Sequence, residues 1–235
     1  MRLLIPKILD LIHVAYHLKR IELYLKKNFP SDINTVFDVG CYTGIFLDVC
    51  LKVYSSTTQI FAFEAEKEVF NKLEKYQNIK NVKIYNIGIG DTNTVANLNV
   101  SYQKGTSTFS QLNQHSKYLK FKTRLLKERV FVSQEQVQMQ TIDMFAVSND
   151  ITQIDLLKID TEGYELAVLK GAVQSILNTK IILIELNSHD MYFNYDKKEI
   201  EQFLLHNNFL LVKTFRTPFQ KWEDRIYVNS TKLSG

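Results

Sequence analysis

Glycines and carboxylates fall together at three places in this sequence, and a fourth adds a histidine. The first is FDVGCYTG at 37–44. An apolar, β-branched run carries Asp38 to its end, and a turn punctuated by Gly40 and Gly44 leads into an apolar stretch of helical periodicity. Gly40 can adopt backbone conformations closed to other residues and lets a ligand approach the chain. Gly44 lets the following helix sit close to whatever lies above the sheet. In open parallel sheets ligands bind beyond the carboxyl ends of the strands, so this turn, with Tyr42 and Thr43, faces a cleft.

The spacing selects among ligands. A dinucleotide turn needs G-x-G-x-x-G to seat a pyrophosphate on the helix N-terminus; here it is G-x-x-x-G, which suits an amino-acid moiety better. S-adenosylmethionine offers a carboxylate to the helix N-terminus and an ammonium to an acid such as Asp38. Glu64 ends the second apolar run, twenty-four positions past Gly40, where a carboxylate can take both ribose hydroxyls; Ala65 follows it. In NIGIGD at 86–91, Ile87 is placed for an adenine face and Gly88 for close approach. Ser107 lies in a polar loop, 105–108, that can fold over such a cofactor. Each feature also has a plainer explanation: a turn that closes the fold, a solvated strand end, a surface loop.

Methyl transfer from a sulfonium is an in-line displacement that needs a positioned nucleophile and a base for its proton. Asp160 and Glu162 end one apolar run, Glu185 ends the next, and His189 follows four residues later. Asp160 can approach the methionine end of the cofactor or orient the acceptor; Glu162 or His189 can serve as base. The same carboxylates would also suit a helix N-terminus, and Lys158 is expected to face a neighbouring carboxylate. No spacing specific to a metal is present.

These residues require strands alternating with helices. Strands are expected at 35–39, 59–64, 82–86, 154–160 and 180–185, with helices at 43–54, 67–77, 163–177 and 197–207, and a closing strand pair at 209–214 and 225–229 around Pro218. This is an α/β pattern with a parallel sheet covered on both faces. The alternation breaks at 93–139, read as a β-rich insertion with a helix, inside a domain spanning 31–235. Residues 1–30 form a helical segment whose broad apolar face runs through Leu4, Ile8, Leu11, Ile12, Ala15, Leu18 and Leu25. Aromatics near the end (Tyr192, Phe193, Tyr195, Phe219, Trp222) can stack on a sugar face or fill core.

The 235 residues carry a net charge of +4, and the whole excess lies in residues 1–29, with six basic and two acidic side chains. A global basic field for nucleic acid is therefore not indicated; a packed helix, a lid, a dimer contact or a peripheral membrane contact through residues 1–29 remain open. The basic stretch 117–129 can attract a phosphate-bearing acceptor or form a solvated face. No apolar run reaches the length of a membrane span. Cys41 and Cys50 fit neither a disulfide framework nor a zinc site and point to a reduced, cytoplasmic setting.

Taken together, DVG at 38–40 with Gly44, Phe63-Glu64, KIDTEGYE at 158–165 and VLKG at 168–171 resemble the FkbM family of methyltransferases over about residues 35–187. The resemblance implies a Rossmann-like seven-stranded methyltransferase sheet, mostly parallel with one antiparallel strand, in the order 3-2-1-4-5-7-6. It also implies O-methylation of a hydroxyl-bearing small molecule or glycan, with a secondary metabolite as the alternative acceptor; a cofactor-binding but inactive module is the reading from another class. Two departures touch the adenosine pocket: Ala65 replaces the family's usual proline, and Cys41 and Tyr42 follow the first glycine in place of a small residue.

Overall fold

The computed structural model describes residues 4–29, 33–102, 105–126, 130–193, 195–216 and 221–232, without the side chains of 4–14, 122, 125 and 126. In chain order the elements are α1 (Leu4–Asn28), β1 (Thr35–Val39), α2 (Ile45–Val53), β2 (Gln59–Phe63), α3 (Lys67–Phe70), β3 (Val82–Tyr85), β4 (Gly88–Ile89) and β5 (Thr94–Ser101). There follow α4 (Lys117–Leu126), β6 (Phe131–Gln140), α5 (Ile142–Ser148), β7 (Ile154–Ile159), α6 (Glu165–Lys170), β8 (Thr179–Asn187), α7 (Lys197–His206), β9 (Phe209–Arg216) and β10 (Trp222–Asn229).

Seven strands form one sheet in the order β3-β2-β1-β7-β8-β10-β9, in which β10 alone runs antiparallel to its neighbours. This is the expected Rossmann-like methyltransferase order. Strand alternation sorts the core onto two faces. Val36, Ile60, Leu156 and Leu183 pack with α1 and α2 on one face. Phe37, Phe63, Leu157 and Ile184 pack with α5, α6 and α7 on the other. On that second face Phe37 meets Phe61, Phe63 and Phe145 at ring-centroid distances of 5.3, 5.4 and 5.6 Å.

The stretch 93–139 holds β5, α4 and β6. The first and last of these form a small sheet with β4, ordered β4-β6-β5. The loop after β5 docks on the loop after β7 through side-chain donors: Thr108 Oγ1 to the Glu162 carbonyl (2.7 Å) and Ser110 Oγ to the Gly163 carbonyl (2.6 Å).

Three expectations are corrected. Residues 67–77 are not one α-helix: α3 gives way to a 3-10 helix at Asn71–Tyr76, whose three-residue turn stacks buried Leu73 and Tyr76 on one edge. The helix expected over 163–177 is only α6, followed by a 3-10 turn at Ser175–Asn178. It ends at Gly171, which packs so closely on Gly90 that a Cβ there would stand 1.9 Å from the Gly90 carbonyl, and beyond it Asp143 captures the amides of Gln174 and Ser175. In α1 the buried face runs through His17, Ile21 and Leu25, while Ala15 is exposed; the face is turned toward His17 because that ring pairs with Asp224 at 2.6 Å. The side chains of Leu4, Ile8, Leu11 and Ile12, the turn at Pro218, Phe219 and residues 127–129 lie outside the described residues. Among those described, no helix is long and apolar enough to cross a membrane.

Phe37→Ala should cost about 3–5 kcal/mol, the usual penalty for emptying a buried aromatic site. Denaturant unfolding measures it, and a loss below about 1 kcal/mol would mean that the aromatic cluster does not organise this face.

Candidate active site

The strand ends open into a crevice of about 650 Å³, within the usual range for small-molecule sites. Gly40, Tyr42, Glu64, Ala65, Ile87, Gly88 and Ser107 line one part of it; Asp160, Glu162, Glu185 and His189 line another. Asp38, Thr43 and Gly44 are not among the lining residues.

The first turn is built by close approaches. Gly40 has φ +76°, and a Cβ there would fall 1.9 Å from the Asp160 carbonyl, so only glycine lets the β1 turn meet the end of β7. Gly44 precedes α2 at φ +82°, where a Cβ would lie 2.2 Å from the Tyr76 ring; the Tyr76 hydroxyl donates to the Gly44 carbonyl at 2.8 Å. Gly44 thus serves packing against Tyr76.

Glu64 is held from both sides. The Tyr42 amide donates to its Oε2 (2.9 Å) and the Glu66 amide to its Oε1 (2.8 Å). Burial pushes its pKa up to about 7, and those two amides only partly offset the effect. The insertion closes over this end: Ser107 Oγ donates to Glu66 at 2.7 Å, and Gly105 packs against the Tyr42 ring.

Beneath the crevice, Lys158 donates to the Gly40 carbonyl (2.8 Å) and lies 3.2 Å from both Asp38 and Asp160. The Asp38 contact is an ion pair without hydrogen-bond geometry, since neither Asp38 oxygen accepts a hydrogen bond. Complete burial raises the Asp38 pKa, against the opposing pull of Lys158. Burial alone would lower the Lys158 pKa, but Asp160 and Asp38 outweigh it and hold the ammonium charged.

At the other end, Glu162 adopts φ +54°, rare for a residue with a side chain. Its carbonyl is clamped by Thr108 and its carboxylate accepts from the Tyr192 hydroxyl at 2.6 Å. Glu165, buried and with its pKa raised to about 7 mainly by burial, accepts from the amides of Thr161 and Gly163 and so shapes the Asp160–Glu162 loop from below. The His189 ring stacks on Tyr118, with centroids 4.6 Å apart and planes 5° from parallel. Burial raises the Glu185 pKa well above its usual value, with Asp160, Glu162 and Asp224 adding to the effect. Among the described residues, no three His, Cys, Asp or Glu side chains form a metal-ligand group.

Sequence reasoning missed His17, Asp224 and Asn187, all of which line the crevice. For Asn187 and Asp224 a signal existed: each stands two residues from another lining residue on its own strand, Glu185 or Trp222, and alternate residues share a face. For His17 none did, because its place depends on how α1 docks.

Comparison with solved structures finds the FkbM methyltransferase of Methylobacillus flagellatus at TM-score 0.52 and 15% identity, covering 83% of this chain and 43% of that one. A proposed rRNA methylase from Clostridium thermocellum aligns at TM-score 0.51 and 11% identity over 90% of this chain and 94% of that one. At such identities the likeness is one of fold; this chain spans less than half the length of the Methylobacillus protein. None of the curated proteins matches the sequence. The sequence matches the Methyltransferase FkbM domain over residues 38–211, from the Asp38 turn through the strand ends that line the crevice into β9. The cofactor of that family is S-adenosylmethionine, and the chain belongs to the FkbM methyltransferase family.

Proposed function

We propose that this protein transfers a methyl group from S-adenosylmethionine to a hydroxyl of a glycan or glycolipid precursor. The observation that carries the reading is the crevice's two unlike ends, with Glu64 clamped by backbone amides at one and Asp160, Glu162, Glu185 and His189 gathered at the other.

The residues suit the cofactor. A carboxylate oxygen has two lone pairs, and each Glu64 oxygen receives one backbone amide, which leaves one lone pair on each for the ribose hydroxyls. Ala65 and Ile87 offer apolar contact to an adenine. Ile45 and Phe46 line the crevice at the start of α2, where helix amides lack intrahelical partners and favour a carboxylate. When bound, S-adenosylmethionine supplies an electrophilic methyl: the acceptor oxygen forms the new C–O bond, the C–S electron pair returns to sulfur to leave S-adenosylhomocysteine, and the hydroxyl proton leaves to a base.

The chain's own groups take the other parts. Asp160, fixed by Lys158, orients the acceptor at the methyl. Glu162 and His189 face the same space as proton acceptors, each held in one orientation, by Tyr192 and by the Tyr118 stack. The insertion loop and α1 cover the crevice and limit water. The basic segment at residues 1–29 would hold the protein against an anionic membrane surface where lipid-linked acceptors reside.

Ribose hydroxyls donate to the charged form of Glu64, so binding lowers its pKa and releases a proton. Cofactor affinity should therefore fall as pH drops below about 7, by at most ~10-fold per unit, and level off above it. Calorimetry across that range checks this, and a flat profile counts against it. Glu64→Gln should weaken binding ~10–100-fold, the loss of hydrogen bonds to a charged group, because the new NH₂ faces one of the two clamping amides. Asp160→Asn should cut transfer of labelled methyl to fractionated cellular glycans by ~100-fold while cofactor binding stays measurable; equal transfer by the variant would remove Asp160 from the chemistry.

A further inference from the structure

Beyond the reacting carboxylates the crevice has a second compartment. On β8, Leu183, Glu185 and Asn187 alternate onto the crevice face. On β10, Asp224 and Trp222 stand opposite Glu185 and Asn187 in register, and both also line the crevice. These side chains make a floor. Above it lie His17, Leu18 and Ile21 of α1, with Tyr118 and Phe121 of α4 at the side. The His17 ring meets the Trp222 indole edge-on, with centroids 4.8 Å apart, and pairs with Asp224, so the indole is held in place.

One atom on this floor is unexplained by the fold. Asn187 is 3% exposed, and its Nδ2 has no hydrogen-bond partner. Buried donors are nearly always satisfied, so an orphan on a ligand crevice calls for an acceptor atom from outside the chain. Beside it, Glu185 is an acceptor. A donor and an acceptor two residues apart on one strand face match the hydroxyl and ring oxygens of a sugar. An ammonium, which only donates, would suit the carboxylates but leave Asn187 unmet. Trp222 supplies the flat apolar wall that a sugar ring uses.

We infer that Glu185, Asn187 and Trp222 form the acceptor subsite, and that it takes a neutral sugar, with Asn187 Nδ2 donating to a sugar oxygen and Glu185 receiving a sugar hydroxyl. This rests on the methyltransferase reading and narrows its acceptor to a neutral saccharide. Neither α1, which roofs the subsite, nor β10, which floors it, falls within residues 38–211, the part matched by the family.

The test uses the full chain saturated with S-adenosylhomocysteine, with binding of that compound first measured by calorimetry. Saturation-transfer NMR then follows methyl glycosides of gluco, galacto, manno, rhamno and fuco configuration, with glucosamine as the amine probe. At least one neutral glycoside should bind better than glucosamine. Its affinity should drop ~10-fold or more in Asn187→Asp and Asn187→Leu, while cofactor affinity holds and the melting temperature of Asn187→Leu stays level or rises, since an unmet donor has been removed. A fall in melting temperature in both variants would give Asn187 a structural role and overturn the inference. So would preference for glucosamine, equal glycoside binding by both variants, or no glycoside binding by a protein that binds S-adenosylhomocysteine. Failure to bind S-adenosylhomocysteine would instead overturn the methyltransferase reading itself.

Discussion

The ammonium of Lys158 ties the ends of two neighbouring strands together beneath the crevice. It reaches the Gly40 carbonyl, Asp38 and Asp160 at once, and so sets the spacing between the turn after β1 and the loop after β7. A buried cation with two carboxylates is costly to desolvate, and removing one partner of such a pair commonly costs about 3–5 kcal/mol. The arrangement survives because each member is compensated: Lys158 by the two acids, Asp38 by Lys158, and the close backbone contact by the absence of a side chain on Gly40. The glycine and the lysine therefore act as one device, which leaves Asp160 facing the crevice with its geometry fixed.

The rest of the site is assembled on that frame by parts outside the sheet. The insertion reaches in through Ser107, Thr108 and Ser110, which bind Glu66, the Glu162 carbonyl and the Gly163 carbonyl. The left-handed backbone at Glu162 costs about 1–3 kcal/mol at such positions, and the Thr108 contact, with the amides gathered by Glu165, holds it there. Helix α1 adds a roof through His17, latched to Asp224 on the antiparallel strand. The strand ends thus carry the glycine turn and Glu64, and the covering comes from the insertion and from α1, the latter outside the family-matched residues 38–211.

Much of this could be read from the sequence, and the limits have physical causes. Parallel strands buried on both faces leave runs such as TVFDV and KIILIE, and their alternation with helices fixed the sheet class. The carboxylates at their ends were legible for the same reason: a strand end in such a sheet points at the cleft. Helix lengths were less legible, because the chain after α6 makes contacts distant in sequence: Gly171 packs on Gly90, and Asp143 takes the amides of Gln174 and Ser175. The place of Asp38 was expected at the ligand, whereas its side chain is buried against Lys158; residue type and spacing are the same in either arrangement, and only the packing separates them. His17 depended on the docking of α1, which leaves no local signature, whereas Asn187 shares a face of its own strand with Glu185.

The proposed function requires the crevice between the β1 turn and Glu64 to hold an adenosyl amino acid. A crystal structure of the full chain grown with S-adenosylhomocysteine tests it most directly. Both ribose hydroxyls should lie on the Glu64 carboxylate, with the adenine against Ile87 and the sulfur facing Asp160. Density for the compound at another place, or an undisturbed crevice at saturating concentration, would contradict it.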